Sequence, residues 1–400
     1  MTANSWLRKA TKIVAYTVLG LVAVTALAVY WLNHGYVYPE AESLADMDDS
    51  RWYRLKLGQK LLATDGSELT ALVRKGDTDK LIVFFQGGGM AWDADSAAKP
   101  IRTFPLIRTA LFKGIDGLED AGFYNGEMMW LLMYIQGGLF SFDRQDNPFR
   151  DWSIVYIPYG SGDLHSGDTI TEYITTLGER VELQHRGAAN ADAVLAWTYD
   201  SFPDPDKVLV AGSSAGAFGA TVWLGPIARH YDQAQVYGYA DGIYLDQEKV
   251  AEASRTNWGP TLAERFGFTM QSKMLDSLYQ RYLEDPLPNV IYLHSNTTRD
   301  EVIAMYMMLM SKAELTDKPR LVDEWSLTMM TSARKWRESP LPYYSFITDH
   351  GDGDGLTQHT FLQFGAVYTH VEDSVTPMEW LKAAVIDDAP FSVGTSLLVD

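Results

Sequence analysis

The chemistry open to this chain rests on one serine, the histidines downstream of it and an aspartate lying between them. A serine hydroxyl becomes a nucleophile only when a base takes its proton, and that base needs a third group to fix its tautomer. Ser214 is the central residue of Gly212-Ser213-Ser214-Ala215-Gly216, which fits G-x-S-x-G. The motif has mechanical content at the junction of a strand and a helix. There a tight, strained turn lifts the hydroxyl over the sheet edge and demands very small neighbours. A β-branched run at 208–210 precedes it and a small apolar stretch at 217–227 follows, so the strand–turn–helix context is present. The alternative for a bare match is a simple Gly/Ser turn.

In this kind of site the chain order is serine, acid, histidine. Of eight histidines, five follow Ser214: His230, His294, His350, His359 and His370. His230 ends the elbow helix and His294 lies within a strand. His350 and His359 flank the loop after the last strand, so His359 ranks first as base, His350 second and His370 third. Asp300 lies just past the strand at 290–293, in a strand-tip loop that can reach an imidazole. Asp241 and Asp246, after the preceding strand, are its rivals. A tetrahedral oxyanion needs backbone N–H donors. Ala215, directly after the nucleophile, supplies one. Gly88 and Gly89 fit the others, because a triple glycine after a central strand lets bare backbone approach a substrate.

The elements that must position these residues alternate along the chain. Strands are expected at 52–57 and 68–74, with a hairpin turn at 64–67, and at 81–85, 152–159, 208–210, 235–240, 289–295 and 343–347. Helices are expected at 179–199, 217–227, from about 301, and at 315–338. This pattern predicts an α/β chain with a mostly parallel sheet and helices on both faces. With 46% hydrophobic residues, 51–400 can form one large domain. Residues 95–150 read as an insertion, in which the apolar 128–135 is a core helix or, more sharply, a lid or acyl-chain wall.

Residues 13–32 carry no charge and are long enough to span a bilayer. Arg8, Lys9 and Lys12 precede them, which predicts a single-pass transmembrane helix with 1–12 in the cytoplasm. An acidic linker, 33–50, then leads to a periplasmic or extracellular catalytic part. The rival is a signal peptide cleaved after Ala26-Leu27-Ala28. A net charge of -19 argues against a nucleic-acid partner, and the absence of cysteine excludes disulfides and a thiol nucleophile. No metal site is expected. Residues 349–355 have a calcium-loop flavour but lack the closing acidic residue, so they read as turn. Met305, Met307, Met308 and Met310 are core or the lining of an adaptable acyl pocket. The sequon at Asn296 reads as chance, and His165 either touches substrate or makes a structural hydrogen bond.

Taken in order, several segments resemble the pectin acetylesterase and Notum family. They are Phe85-Gln86-Gly87-Gly88-Gly89, Asn147-Pro148-Phe149 with Trp152, Val155 to Asp163, Leu209 to Gly216, Gly238 to Gly242 with Asp246, Asn289 to Glu301, and Gln358-His359. The resemblance implies an α/β-hydrolase-like fold and a Ser214–Asp300–His359 triad. It implies hydrolysis of a carboxylic ester with no metal or cofactor. The chain departs from eukaryotic relatives in having no cysteine, and its negative charge sits badly with polygalacturonate. The expectation is therefore a membrane-anchored serine esterase acting on an acetyl or longer acyl ester, carried by an envelope or extracellular glycan, a lipid or a small ester. The alternatives are another acyl hydrolase on the same scaffold, a lipase or amidase, and a catalytically silent envelope-binding protein. Oligomeric state is left open.

Overall fold

The computed structural model describes residues 3–33, 37–103, 122–130, 133, 136–313, 315–349, 351 and 355–398. Nine strands form one sheet: β1 (Glu40–Ala41), β2 (Trp52–Leu55), β3 (Leu72–Arg74), β4 (Asp77–Phe85), β5 (Trp152–Ile157), β6 (Lys207–Ser213), β7 (Gln235–Asp241), β8 (Val290–Thr297) and β9 (Tyr343–Thr348). Their spatial order is β1-β2-β3-β5-β4-β6-β7-β8-β9. From β5 to β9 every neighbouring pair is parallel, and β3 runs antiparallel to both β2 and β5. The central strands are continuous apolar runs because both their faces are covered, and Leu81 to Phe85 and Val208 to Ala211 are fully buried.

The chain leaves β4 to one side to form β5 and later returns to its other side as β6. The crevice beyond the carboxyl ends of β4 and β6 is thus a topological switch point, where open α/β sheets bind ligands. Gly212 is in register with Phe85, Ser213 with Asp241 and Asp241 with Ser295, so four strand ends share one rim.

Three expectations change. The helix foreseen at 179–199 begins with a strand. Arg180–His185 alternates exposed and inward residues and pairs antiparallel with Thr169–Ile174, and the helix runs over Gly187–Ser201. The turn at 64–67 joins Leu61–Leu62 to Glu68–Leu69, whereas β2 pairs with β3. The third concerns the membrane. Residues 13–32 lie in a helix, Ala3–Asn33, but among the described residues no helix is long and apolar enough to cross a membrane. In the insertion, 104–121 and parts of 128–135 lie outside the described residues, as do His350 and 352–354 of the loop at 349–355.

Candidate active site

Ser214 links β6 to the helix Ala215–His230 and sits at φ 56°, ψ −129°. A non-glycine residue reaches that region only under strain, at a cost of about 1–3 kcal/mol. The surroundings enforce it. The Ser214 N–H donates to the carbonyl of Asp241 at 2.8 Å, which buckles the turn onto the end of β7. The flanking glycines are obligatory: a Cβ on Gly212 would stand 2.2 Å from the Gly216 carbonyl oxygen, and one on Gly216 would stand 2.1 Å from that of Phe85. From 208 to 225 every residue is buried except Ser214, which is partly exposed. The Ala215 amide opens the helix and donates to no protein acceptor among the described residues, as first-turn amides do.

His359 reaches this rim through two loops zipped together. Asp300 bridges Thr357, the Thr357 amide donates to the Arg299 carbonyl at 3.0 Å, and Thr297 Oγ1 donates to the Gln358 carbonyl at 2.8 Å. His359 Nδ1 lies 2.7 Å from Asp300 Oδ2. The other carboxylate oxygen, Oδ1, accepts from the amides of Val302 and Ile303 at 3.0 and 2.9 Å, so Asp300 also caps the helix Glu301–Ser311. Asp300 is 0% exposed. An unprotonated Asp300 can only accept, which puts the neutral imidazole's proton on Nδ1 and leaves Nε2 as a lone-pair acceptor. Nε2 has no hydrogen-bond partner, so Ser214 Oγ is not bonded to it in this structure. Burial on its own lowers the His359 pKa. The charge and hydrogen bond of Asp300, with the charges of Asp241 and Glu301, outweigh that and hold it above the ordinary value of 6.5.

Serine and histidine are brought to one place by Asp241, which the sequence offered as a rival acid. It is fully buried and does not bond the imidazole. Its Oδ2 accepts from Ser213 Oγ at 3.0 Å and from the amides of Phe361 and Leu362 at 2.9 Å each, and its Oδ1 accepts from Ser295 Oγ at 2.7 Å. One carboxylate thereby fastens the elbow, β8 and the histidine loop. Gly242, the next residue, lies against His359: a Cβ there would stand 2.6 Å from its carbonyl oxygen and 3.5 Å from Cε1. Burial raises the Asp241 pKa, and its four hydrogen bonds act in the opposite sense.

The glycine loop after β4 closes the other side. A Cβ on Gly87 would stand 2.4 Å from the Ser213 carbonyl oxygen and 3.3 Å from Ser214 Cβ, so the loop touches the elbow. The amides of Gly88 and Gly89 donate to no protein acceptor among the described residues. Beneath them His165 Nε2 donates to the Gln86 carbonyl at 2.8 Å, and Tyr159 Oη donates to that of Gly89 at 2.8 Å. His165 is thus a buried strut, its pKa pushed down to about 4 by burial.

The remaining candidates go elsewhere. His230 stacks on Tyr199, His294 is buried with Nδ1 2.7 Å from Tyr343 Oη, and His370 Nε2 pairs with Thr348 Oγ1 at 2.8 Å. The backbone of Asp246 forms an isolated antiparallel β-bridge with that of Lys273. Asn296 is buried, with Oδ1 accepting from the Tyr244 amide at 3.3 Å, so the sequon is closed to modification. Met307 and Met310 are core, while Met305 and Met308 are partly exposed. Among the described residues no cluster of His, Asp or Glu could hold a metal. Sequence reasoning missed Asn125 and Tyr306. Asn125 lies against the glycine loop, and Tyr306 donates to the Phe123 carbonyl at 2.5 Å beside Gly89.

Residues 129–272 match the family model for pectinacetylesterase. The match spans 144 of the 400 residues and makes this region similar to a family of carboxylic ester hydrolases. The matched region holds Ser214 and Ala215, whereas Gly88, Gly89, Asp300 and His359 lie outside it. Among solved structures, the Wnt deacylase Notum from Drosophila is similar in two crystal forms. One has 17% identity and a TM-score of 0.55, covering 85% of this chain and 94% of that one. The other has 18% identity and a TM-score of 0.55, covering 84% and 93%. At this identity the likeness concerns the fold, a mixed α/β architecture around a large central sheet. No curated protein matches the sequence.

Proposed function

We propose that the chain hydrolyses an acyl ester through a Ser214–His359–Asp300 triad. His359 Nε2 takes the Ser214 proton as Oγ attacks the ester carbonyl. The amides of Gly88, Gly89 and Ala215 hold the oxyanion. The imidazolium then gives its proton to the departing alcohol, leaving an acyl-serine. Water, deprotonated by the same nitrogen, attacks that ester and releases the carboxylic acid and free Ser214. The observation that carries this reading is an imidazole with Nδ1 on a buried carboxylate and Nε2 without a hydrogen-bond partner, on the same rim as a strained, partly exposed serine.

The family match supports an acetyl ester on a glycan as the substrate class, with a longer acyl group as the other possibility. The test is hydrolysis of p-nitrophenyl acetate and longer p-nitrophenyl esters by the full chain, beside Ser214→Ala. Loss of one oxyanion donor costs about 10²–10³ in turnover, and loss of the nucleophile should cost at least that. An unchanged rate in Ser214→Ala would refute the proposal.

A further inference from the structure

We infer that Asn125 is a positioning residue for the oxyanion site, aiming the amides of Gly88 and Gly89; this rests on the esterase reading above. Every carbonyl of the loop from Gln86 to Gly89 is held. That of Gln86 is bonded by His165 and that of Gly89 by Tyr159. The two between are both held by Asn125: its backbone N–H donates to the Gly88 carbonyl at 2.8 Å, and its side-chain Nδ2 donates to the Gly87 carbonyl at 3.3 Å.

In a trans peptide the C=O and the following N–H point in opposite directions, and the described chain contains no cis bond. Holding the carbonyls of Gly87 and Gly88 toward Asn125 therefore turns the amides of Gly88 and Gly89 away from it. Both are without a protein acceptor among the described residues, as is the amide of Gly87, whose peptide plane is set by the Gln86 carbonyl on His165. The next amide, Met90, is already used on the Phe123 carbonyl at 3.0 Å. The packing fits this role. Asn125 is 3% exposed, and a Cβ on Gly88 would stand 2.2 Å from Asn125 Nδ2. Only glycine lets the carboxamide lie flat on the loop. A carbonyl oxygen can only accept, so the group facing Gly87 has to donate.

The side-chain half of this clamp can be removed without touching the backbone half. Asn125→Asp keeps the shape and replaces the donor by an acceptor; Asn125→Leu keeps the bulk and removes polarity. The readouts are kcat and KM on p-nitrophenyl acetate and inhibition by phenylboronic acid, which forms a tetrahedral adduct on the serine and fills the oxyanion site. The expected result in both variants is a kcat reduced about 10–100-fold with KM changed less than about twofold, since small displacements of catalytic groups carry costs of that order. Boronate affinity should weaken by a similar factor. A kcat within twofold of wild type, or a reduced kcat with unchanged boronate affinity, would overturn the inference. If either variant fails to fold, Asn125→Ser, too short to reach Gly87, is judged by the same ratios. Ser214→Ala, run alongside, separates the two claims. Full activity without Ser214 overturns the esterase reading itself. Dependence on Ser214 with indifference to Asn125 overturns only the present inference.

Discussion

Asp300→Asn isolates the charge of the acid from its structural work. In the native protein Oδ1 caps the helix Glu301–Ser311 through two amides, while Oδ2 takes the His359 Nδ1 proton at 2.7 Å. Asparagine caps helices as well as aspartate does, so with its oxygen on the Val302 and Ile303 amides the contribution of the helix cap should change by less than about 0.5 kcal/mol. The carboxamide nitrogen then faces Nδ1, and as a donor it forces the ring proton onto Nε2. A protonated Nε2 cannot accept from Ser214. The opposite flip faces two amide donors with an NH₂ group and uncaps the helix. A serine protease carrying the equivalent change loses about 10⁴ in kcat, which corresponds to about 5 kcal/mol of transition-state stabilisation. Asp300→Ala should lose similar activity and, in addition, about 1 kcal/mol of stability from the missing cap. The assay is kcat on p-nitrophenyl acetate together with urea denaturation midpoints. An Asp300→Asn enzyme that keeps more than a tenth of native kcat would show that this carboxylate does not orient the base.

The base must be neutral, so kcat/KM should rise with pH through a midpoint above the ordinary histidine value of about 6.5. Asp241→Asn removes one of the charges that raise it, and should move that midpoint down while lowering kcat; an unmoved midpoint would refute the coupling. The same raised pKa means that the stability His359 contributes is full below about 6.5 and fades as pH climbs past its folded value. His165, His185 and His294 behave oppositely, because burial drives each down to about 4. Their contributions are complete above about 6.5 and are lost as pH falls toward 4, each at up to about 1.4 kcal/mol per pH unit, so urea midpoints should drop steeply across that window. Gly87→Ala drives a Cβ to 2.4 Å from the Ser213 carbonyl oxygen, which should cost about 1–3 kcal/mol as overpacking and depress kcat by parting loop from elbow. A variant with native melting and turnover would contradict the packing described.

Sequence alone determined the elbow, because everything it needs lies within a few residues: an apolar strand, four small neighbours around Ser214 and a helix former after them. It also determined the succession of parallel strands, since each is a short apolar run between turn signals. It misread 180–185, where alternation over six residues was absorbed into the helix that follows, and whose hairpin partner becomes visible only as a pairing. Asp300 and His359 could be ranked by type and order but not joined. They stand 59 positions apart, and their contact depends on two loops zipped through Thr297 and Thr357. Asp241 carried no local mark that would separate a clamp from a rival acid, because its role comes from being in register with Ser213 and Ser295. Asn125 was invisible, lying in an insertion with no motif, since its partners are backbone carbonyls that have no identity in sequence. Local sterics and periodicity are written in neighbouring residues, whereas the orientation of a peptide plane or a carboxylate is fixed by whatever strand or loop the folded sheet brings beside it.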